Sequence, residues 1–588
     1  DSAYLHKTLG TGNRLSWTMS VWVKRCEFTT AGDLVFGLAA SPYDWMGFGD
    51  PDSITTQPGI VSFSTAGGVD KLESTALFRD PSAWSNFVWV YDSANGTAGD
   101  RQRIYNDGVR ITDFSLEADL SLNQNSTVNT AVSHYIGRQI SNYANFYLAD
   151  VIFLDGTSST DATEFGKYDS NGNWVPIDPS ELTFGDNGFY LPFKNFANVG
   201  QDFSHGADAN QVLASSGTPI GDLTGGAGLA GLFTGAYNNS YDAGNTTYYG
   251  LDWGSGVSKT ITTVSIEASQ SGGFRYTNAA NSITWTLYGS NTAPANASDG
   301  TALGSFNTTT ASILVNTDTT INPTRVQISD VTATTAYRYH WVKQDNITAN
   351  GGYNYAGQLR FYTDGTVLGP NDFYPVNFEA NDVVLDSPTD DADNGIGNYA
   401  TFNSLILPTT YSNGNLTAAT TGNKGTGIST IAITPDDTGK YAAEFTVGAV
   451  GSASLIGICT DELVGTDSSG YSYFRGSIGT QYSQNNLNGT ISYANDGTIV
   501  SLGATDSSAP ATYTTGDVIR VEVDRAADTI QFFKGGADQV TIGSLSDRTA
   551  FGGNWFFCVG GIANTISANF GQQGFAGTPT SGFVGLNT

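Results

Sequence analysis

The chain has 588 residues and a formal net charge of −30, from 25 lysines and arginines against 55 aspartates and glutamates. This length predicts about three or four domains, because one hydrophobic core does not grow beyond a few hundred residues. The negative charge opposes contact with a phosphate backbone, so we expect no nucleic-acid partner. Aromatic residues make up 12% of the chain and charged residues only 14%, which favours aromatic β cores beneath a surface of uncharged polar side chains.

Cysteine content and hydropathy narrow the class of protein further. Cys26, Cys459 and Cys558 are widely separated and odd in number, so we expect buried small hydrophobic residues and no disulfide scaffold. No apolar run is long enough to cross a bilayer as a helix, so we expect no membrane span. The chain opens at Asp1 without a signal-like segment, so we expect a processed start or a piece of a longer product.

Short apolar runs separated by turn residues are typical of antiparallel sheet. Residues 87–91 form an aromatic and β-branched run, and residues 103–111 hold two further runs around Asp107-Gly108. An Asp-Gly pair between alternating runs predicts a hairpin, because the tight turns that fit strand twist need positive φ. Apolar and charged residues also alternate in residues 519–524, near the far end of the chain. Both ends are therefore predicted to be stacked hairpins.

Residues 1–205 are predicted to form the first domain. Strict alternation in residues 17–24 places four apolar residues on one buried face, namely Trp17, Met19, Val21 and Val23. Five segments, in order, resemble the concanavalin-A-like (laminin-G-like) sandwich of bacteriophage tail-fibre and appendage proteins: WTMSVWVKR, FVWVYD, RIYNDGVRI, IGR and FYLADVIFLDG. The resemblance implies a two-sheet domain over most of this range.

A change of composition predicts a linker and then a second domain. Residues 206–232 are rich in Gly, Ala, Ser and Asp, which is typical of a linker. Residues 233–366 contain strand patterns whose phrases LDWGSG, WTLYGSN, YRYHWVKQDN and GQLRFYT resemble the discoidin-type galactose-binding-like fold. That resemblance implies a jelly-roll sandwich with ligand-contacting loops at one end.

Residues 367–588 are predicted to form the third domain. The phrases GKYAAEF and GDVIRVEVD followed by IQFFK resemble a SPRY-type sandwich. SPRY domains act as protein-recognition modules, so the fold does not determine the ligand. The period of two places Glu522 and Asp524 on one face, which we expect to be solvated. The predicted fold class is thus all-β, with three tandem β-sandwich (jelly-roll) domains.

The sequence contains no recognisable catalytic motif, so we expect no enzyme. The four histidines are scattered, and no nucleophile elbow or phosphate-binding loop is present. A glycan hydrolase or lyase of concanavalin-A-like fold stays open as an alternative, because acids are abundant enough to supply a catalytic pair. We expect no cofactor. Calcium is the alternative at two oxygen-rich loops, one with Asp169, Asn171 and Asn173 and the other with Asp391 and Asp393. Ordinary Asn- and Asp-rich turns are the favoured explanation of both loops.

Tyrosines in Gly-containing segments of the second domain are the candidate ligand-binding residues. They lie beside amides and hydroxyls, a mixture that suits sugars, because flat rings take the apolar face of a sugar while amides contact its hydroxyls. The alternative is that they pack beneath loops or between domains. The candidates are Tyr237, Tyr241, Tyr248, Tyr249, Tyr353 and Tyr355.

The resemblances imply a bacteriophage virion appendage, such as a tail fibre, spike or capsid fibre, and we expect it to recognise host-surface glycans. We expect it on the exposed, extracellular surface of the virion, in contact with other virion proteins. We also expect a homo-oligomer, because weak binding is multiplied by presenting several copies. The resemblance to phage fibres implies that a trimer is favoured. The first alternative is a structural or decoration protein that mediates self-assembly and particle assembly. The second is the glycan-cleaving enzyme named above.

Overall fold

A computed structural model describes most of the chain. The described residues are 2–28, 33–38, 44–49, 59–65, 70–139, 142–159, 161–193, 199–204, 211–212, 217–233, 240–243, 246–267, 283–308, 325–328, 331, 335–346, 353–362, 373–378, 382–389, 395–406, 409–420, 424–451, 453–460, 464–466, 472–474, 490–501, 504–506, 510–546 and 552–588. Nearly all of the regular structure is antiparallel sheet, so the prediction of an all-β fold is confirmed. The described residues contain no helix that is both long and apolar enough to cross a membrane.

The first sandwich is built from strands in the first 191 residues and one later strand. Short 3-10 turns occupy Ala98–Asp100 and Pro179–Glu181. The strands are β1 (Tyr4–Thr8), β2 (Ser16–Arg25), β3 (Asp33–Leu38), β4 (Trp45–Phe48), β5 (Val61–Thr65), β6 (Asp70–Ser74), β7 (Ser85–Asp92), β8 (Gln102–Asn106), β9 (Val109–Arg110), β10 (Phe114–Glu117), β11 (Ser133–Ile136), β12 (Arg138–Gln139), β13 (Asn142–Tyr143), β14 (Phe146–Asp155), β15 (Gly166–Tyr168), β16 (Trp174–Pro176) and β17 (Phe189–Leu191).

The second sandwich contains twelve of the described strands and one short helix. They are β18 (Gln211–Val212), β19 (Thr218–Gly221), β20 (Gly225–Gly226), α1 (Gly228–Gly231), β21 (Ser240–Ala243), β22 (Thr246–Asp252), β23 (Thr263–Glu267), β24 (Ile283–Ser290), β25 (Thr301–Thr308), β26 (Arg325–Ile328), β27 (Tyr339–Asn346), β28 (Tyr353–Ala356) and β29 (Gln358–Tyr362). The chain then returns to the first sandwich as β30 (Tyr374–Val376).

The third sandwich contains the remaining described strands. They are β31 (Thr410–Ser412), β32 (Thr417–Ala419), β33 (Lys424–Ile428), β34 (Lys440–Ala449), β35 (Ala453–Thr460), β36 (Val464–Thr466), β37 (Ser472–Phe474), β38 (Thr490–Ala494), β39 (Ile499–Ser501), β40 (Ala504–Asp506), β41 (Val518–Asp524), β42 (Thr529–Lys534), β43 (Ala537–Gly543), β44 (Trp555–Ile562), β45 (Thr565–Asn569) and β46 (Val584–Gly585).

Two sheets enclose the core of the first sandwich. One has the strand order β10-β6-β5-β4-β3-β11-β1-β30 and the other β17-β14-β2-β7-β8-β9. The predicted face of β2 is confirmed, since its alternate residues Trp17, Met19, Val21 and Val23 all lie in this core. The predicted hairpin is also confirmed. Asp107 and Gly108 join β8 to β9 with φ values of 46° and 82°, the left-handed region that such a turn requires.

The second sandwich is inserted into the first. Strand β30 pairs with β1, and Phe373 packs in the first core with its ring centroid 4.6 Å from that of Phe189. The Phe373 N–H donates to the Gly200 carbonyl at 2.7 Å, so the two ends of the insertion are adjacent. A surface loop tolerates such an insertion when its ends stay close together. The three domains were predicted to follow one another in tandem, with the third beginning at residue 367. The strand pairing instead returns residues 374–376 to the first sandwich.

The second sandwich begins earlier than its sequence suggested. Its main sheets have the orders β19-β22-β27-β24-β25 and β18-β29-β23-β26. Strand β19 pairs with β22, and Leu223 and Leu232 are buried in the same core. The predicted linker over residues 206–232 is therefore wrong for residues 217–232. Its small residues are used for close packing, as at Gly221, where a Cβ would lie 2.2 Å from the Tyr248 carbonyl oxygen.

In the third sandwich, one sheet face that was predicted to be solvated is buried. Its sheets have the orders β31-β32-β45-β34-β41-β42-β43, with β46 beside β34, and β33-β44-β35-β38-β39-β40. Glu522 and Asp524 do face away from the core, but they are only 1% and 7% exposed. The prediction that this face is solvated is wrong, because residues 576–580 lie across it. The Thr580 N–H donates to Glu522 at 2.9 Å, and the Ala576 N–H donates to Glu444 at 2.6 Å.

Candidate functional site

Three of the six candidate tyrosines lie on one small sheet of the second sandwich. Strands β20, β21 and β28 form a separate three-stranded sheet, which we call the tyrosine sheet. Its register pairs Tyr241 with Tyr355 and Ala243 with Tyr353. Cross-strand partners share a face of a sheet, as do residues two apart along one strand. The three tyrosine positions therefore occupy the same face.

Two of the other candidate tyrosines, Tyr248 and Tyr249, lie on strand β22. Tyr248 is partly exposed on the outer face of β22, where its N–H donates to the Asp222 carboxylate at 2.8 Å. Partial burial and the nearby Asp222 raise the pKa of Tyr248. Strand β22 follows β21 after two residues, so Tyr248 belongs to a segment that continues directly from the tyrosine sheet. Tyr237 lies outside the described residues.

Tyr249 was a candidate ligand-binding residue, but it lies in the core, so the alternative that these tyrosines pack internally applies to it. It is fully buried, and its hydroxyl donates to the Gln344 side-chain oxygen at 2.8 Å. Alternation along β22 explains the difference, because adjacent strand residues point to opposite faces. Tyr248 and Tyr249 therefore have opposite environments although they are neighbours in the sequence.

The first predicted calcium loop is a turn between β15 and β16. One Asp169 carboxylate oxygen accepts the N–H groups of Asn171 and Asn173, both at 2.8 Å. The backbone hydrogen bond from Asn173 is the main cause that lowers the pKa of Asp169. These contacts are those of an Asx turn, in which an Asp side chain bonds the backbone that follows it. Calcium at this loop stays a prediction, and the loop with Asp391 and Asp393 lies outside the described residues.

An aromatic surface that the sequence analysis missed lies on the first sandwich. The Arg138 guanidinium lies 4.6 Å from the ring centroid of Tyr4 and donates to its hydroxyl at 2.7 Å. The same guanidinium lies 5.6 Å from the ring of Tyr135 and 5.7 Å from that of Tyr143, which is 37% exposed. We call these four residues the Arg138 cluster. Only the register of β1 with β11, and of β12 with β13, brings them together, so no local motif signals the cluster.

The described histidines with shifted pKa values are structural. Burial lowers the pKa of His134 to about 4 and that of His340 to about 3, so both are neutral near neutral pH. The His134 Nε2 atom accepts the Asn129 N–H at 3.1 Å, and the His340 Nδ1 atom accepts the Trp253 indole N–H at 2.9 Å. Among the described residues, no group of three or more His, Cys, Asp or Glu side chains is placed to hold a metal ion. The absence of enzymatic activity stays a prediction.

The chain was compared with known protein families, curated proteins and solved structures. No protein-family model and no curated protein matches the sequence. Among solved structures, one similar structure is the SPRY domain of human HERC1. The match covers 27% of this chain and 91% of that domain, with 16% sequence identity and a TM-score of 0.21.

Two solved structures with carbohydrate-related descriptions are also similar to parts of the chain. The CBM32 of AlyQ, in complex with 4,5-unsaturated mannuronic acid, matches 25% of this chain over 93% of its own, with 14% identity and a TM-score of 0.17. A putative carbohydrate-binding protein from Bacteroides ovatus matches 33% of this chain over 50% of its own, with 14% identity and a TM-score of 0.23. These TM-scores are low, so the fold assignment rests on the strand pairing and the cores described above.

Proposed function

We propose that this protein recognises host-surface glycans without cleaving them, and that the tyrosine sheet of its second sandwich makes the contact. The observation that carries the proposal is the register that pairs Tyr241 with Tyr355 and sets Tyr353 on the same face. Three aromatic positions on one face of a small sheet suit the apolar faces of pyranose rings. Asp242 and Asn354 are paired at the alternate positions, which belong to the opposite face of the sheet, so the proposed contact rests on the three tyrosine positions.

The wider setting that we propose is an appendage of a bacteriophage virion. The support is the sequence resemblance of the first sandwich to tail-fibre and appendage proteins. In this setting the protein lies on the exposed, extracellular surface of the virion, is anchored by other virion proteins and presents several copies at once. A trimer would multiply a weak single-site affinity, because each further site binds at a high effective concentration.

A second candidate function is assembly, and a groove between the first and third sandwiches favours it. The groove has a volume of about 560 Å³ and is lined by Leu77 and Leu405, which are 38% and 51% exposed. Exposed leucines beside a groove are typical of contacts with other proteins. On this proposal the sandwiches pack against copies of the chain or against the virion shell.

Binding to a bacterial glycan array and to a panel of bacterial cells tests the proposed function. We expect the full chain to bind at least one glycan or strain, and Tyr353→Ala and Tyr241→Ala to weaken that binding by roughly tenfold or more, since each removes one stacking ring. Tyr168→Ala is the matched control, because Tyr168 is 56% exposed but lies on the first sandwich. Equal binding by all four proteins would contradict the role of the tyrosine sheet.

A further inference from the structure

A cavity of about 410 Å³ lies between the first and third sandwiches, away from the tyrosine sheet. Strands β1 and β14 of the first sandwich, residues 382–389, which lead into the third sandwich, and residues 413–414 of the third sandwich line it. We call it the interdomain cavity. Its volume is within the range of small-molecule sites, which is roughly 300–1,000 Å³, and domain interfaces are a common location for such sites.

The lining of the interdomain cavity combines aromatic rings with hydrogen-bonding groups. The rings are those of Tyr4, Phe146, Tyr147, Phe193 and Phe378. The polar side chains besides the tyrosine hydroxyls are Asn145, Asp150, Asp382, Asp386, Ser387, Thr389 and Asn413. Carboxylates accept hydrogen bonds from hydroxyls, and amides both donate and accept. A ligand with an apolar face and a rim of hydroxyls matches both halves of this lining.

Backbone strain is concentrated around the same cavity. Of the described non-glycine residues with positive φ, three line it: Asp150 at 46°, Phe193 at 57° and Asn413 at 51°. A bulky residue such as Phe rarely adopts this region, and Asp150 does so within a strand, where the register of β14 with β2 shifts. Strained residues of this kind cluster at ligand sites, where the surrounding structure holds them.

The two walls of the interdomain cavity are held together. The Tyr190 hydroxyl donates to an Asp150 carboxylate oxygen at 2.6 Å and so positions that carboxylate. The Tyr147 hydroxyl donates to the Gly414 carbonyl at 2.7 Å and joins the first sandwich to the third. A buried ion pair between Lys24 and Asp386 makes a second connection. The cavity is therefore preorganised, which lowers the entropy lost when a ligand binds.

We propose that the interdomain cavity is a second saccharide site, which takes a neutral sugar of one or two pyranose rings. The aromatic rings contact the apolar faces of the sugar, and the carboxylate of Asp150 accepts a hydrogen bond from a ring hydroxyl. The choice of saccharide as ligand class rests on the proposed function, whereas the site itself rests on the cavity, its lining and its strained residues.

Saturation-transfer NMR on the full chain tests this site with four defined probes: methyl β-galactopyranoside, methyl α-mannopyranoside, methyl α-glucopyranoside and N-acetylglucosamine. We expect transfer to at least one probe, with a dissociation constant roughly in the millimolar range. Asp150→Asn should weaken that binding by roughly tenfold, because the amide replaces the charged acceptor. Asn tolerates the left-handed backbone, so the variant keeps the local fold.

Two further variants keep the test decisive. Leu148→Trp fills the interdomain cavity without removing a polar group, since Leu148 lines the wall. In a chain that also carries Tyr353→Ala, it should abolish the remaining transfer. Asp528→Asn is the matched control, because Asp528 has a φ of 58° but lies in the β41–β42 hairpin of the third sandwich. It should bind like the unmodified chain. Circular dichroism confirms that each variant is folded.

The outcomes separate this inference from the proposed function. Transfer that survives in both Asp150→Asn and Leu148→Trp but disappears in Tyr353→Ala would overturn the cavity site and leave the tyrosine sheet supported. The reverse pattern would support the cavity site and leave the tyrosine sheet to the array and cell-binding result. No transfer to any of the four probes would overturn the cavity site, while the array and cell-binding result would still decide the proposed function.

Discussion

Lys24 and Asp386 form an ion pair with 2.8 Å between Nζ and Oδ2, and neither side chain has any exposed surface. The two residues lie 362 positions apart in the sequence. The Trp84 indole N–H donates to the other carboxylate oxygen at 2.8 Å, and Lys24 also donates to Asn398 at 2.9 Å. Burial is the main cause that raises the pKa of Asp386, and Lys24 opposes it. The pair therefore joins the first and third sandwiches through a fully buried contact.

Lys24→Met is expected to separate the unfolding of these two sandwiches. Removing one partner of a buried ion pair costs about 3–5 kcal/mol, because the other charge stays buried without compensation. Scanning calorimetry should show a lower and broader transition. Lys440→Met is the matched control. Its ion pair with Asp524 is 2.6 Å long, but the lysine side chain is 43% exposed, so a loss of only about 0–1 kcal/mol is expected. Equal losses in both variants would contradict the role of burial.

Tyr249→Phe is expected to destabilise the second sandwich without a direct effect on ligand binding. The substitution removes the hydroxyl that donates to Gln344 and leaves a buried oxygen without that donor, at a cost of about 1–3 kcal/mol. Thermal unfolding measures the loss. Tyr248→Phe, at the partly exposed neighbouring position, should leave the midpoint nearly unchanged. A stable Tyr249→Phe chain would show that the hydroxyl contact is unimportant.

His134 is expected to make the first sandwich less stable in mild acid. Burial lowers its pKa from 6.5 to about 4, so the unfolded chain takes up a proton before the folded chain does. The contribution of the neutral ring is complete above pH 6.5 and is lost as the pH falls toward 4. The loss amounts to roughly 3 kcal/mol at the lower limit. Guanidinium unfolding at several pH values should show it, and His134→Gln should flatten the dependence in this window. An identical pH profile in the variant would exclude His134 as the cause.

Glu522→Ala is expected to release residues 576–580 from the third sandwich. The Glu522 carboxylate lies 2.9 Å from Arg520 and accepts the Thr580 N–H. Leaving these buried groups without a partner costs about 1–3 kcal/mol or more. Hydrogen exchange at the Thr580 amide should accelerate. Glu117→Ala, at an exposed position of β10, is the control and should change stability by less than about 0.5 kcal/mol. Unchanged protection at Thr580 would contradict this account.

Local patterns predicted the strands well because alternation directly reports which residues face a core. The face of β2 and the Asp107-Gly108 turn both follow from neighbours in the sequence. The same rule could not identify what covers the opposite face. Glu522 alternates with apolar residues as a solvated residue does, yet donors from residues 576–580 bury it.

For the candidate sites too, the sequence indicated the residue types, and the tertiary structure decided which residues come together. The sequence indicated that tyrosines and amides are concentrated in the second domain, but only the register of β21 with β28 set three of them on one face. Tyr249 was named a candidate beside Tyr248 because composition does not distinguish two adjacent strand positions. The Arg138 cluster and the interdomain cavity had no sequence signal at all, since their residues come from separate strands and separate sandwiches.

The amino-acid sequence by itself determined that this chain is all-β, that the β8–β9 hairpin turns at Asp107-Gly108 and that several cores are needed. The tertiary structure decided that the second sandwich is inserted into the first, that Lys24 meets Asp386 and that a cavity remains between two domains. The physical reason is distance along the chain. Alternation and turn chemistry act between near neighbours, whereas these features depend on contacts between segments that only the complete packing brings together.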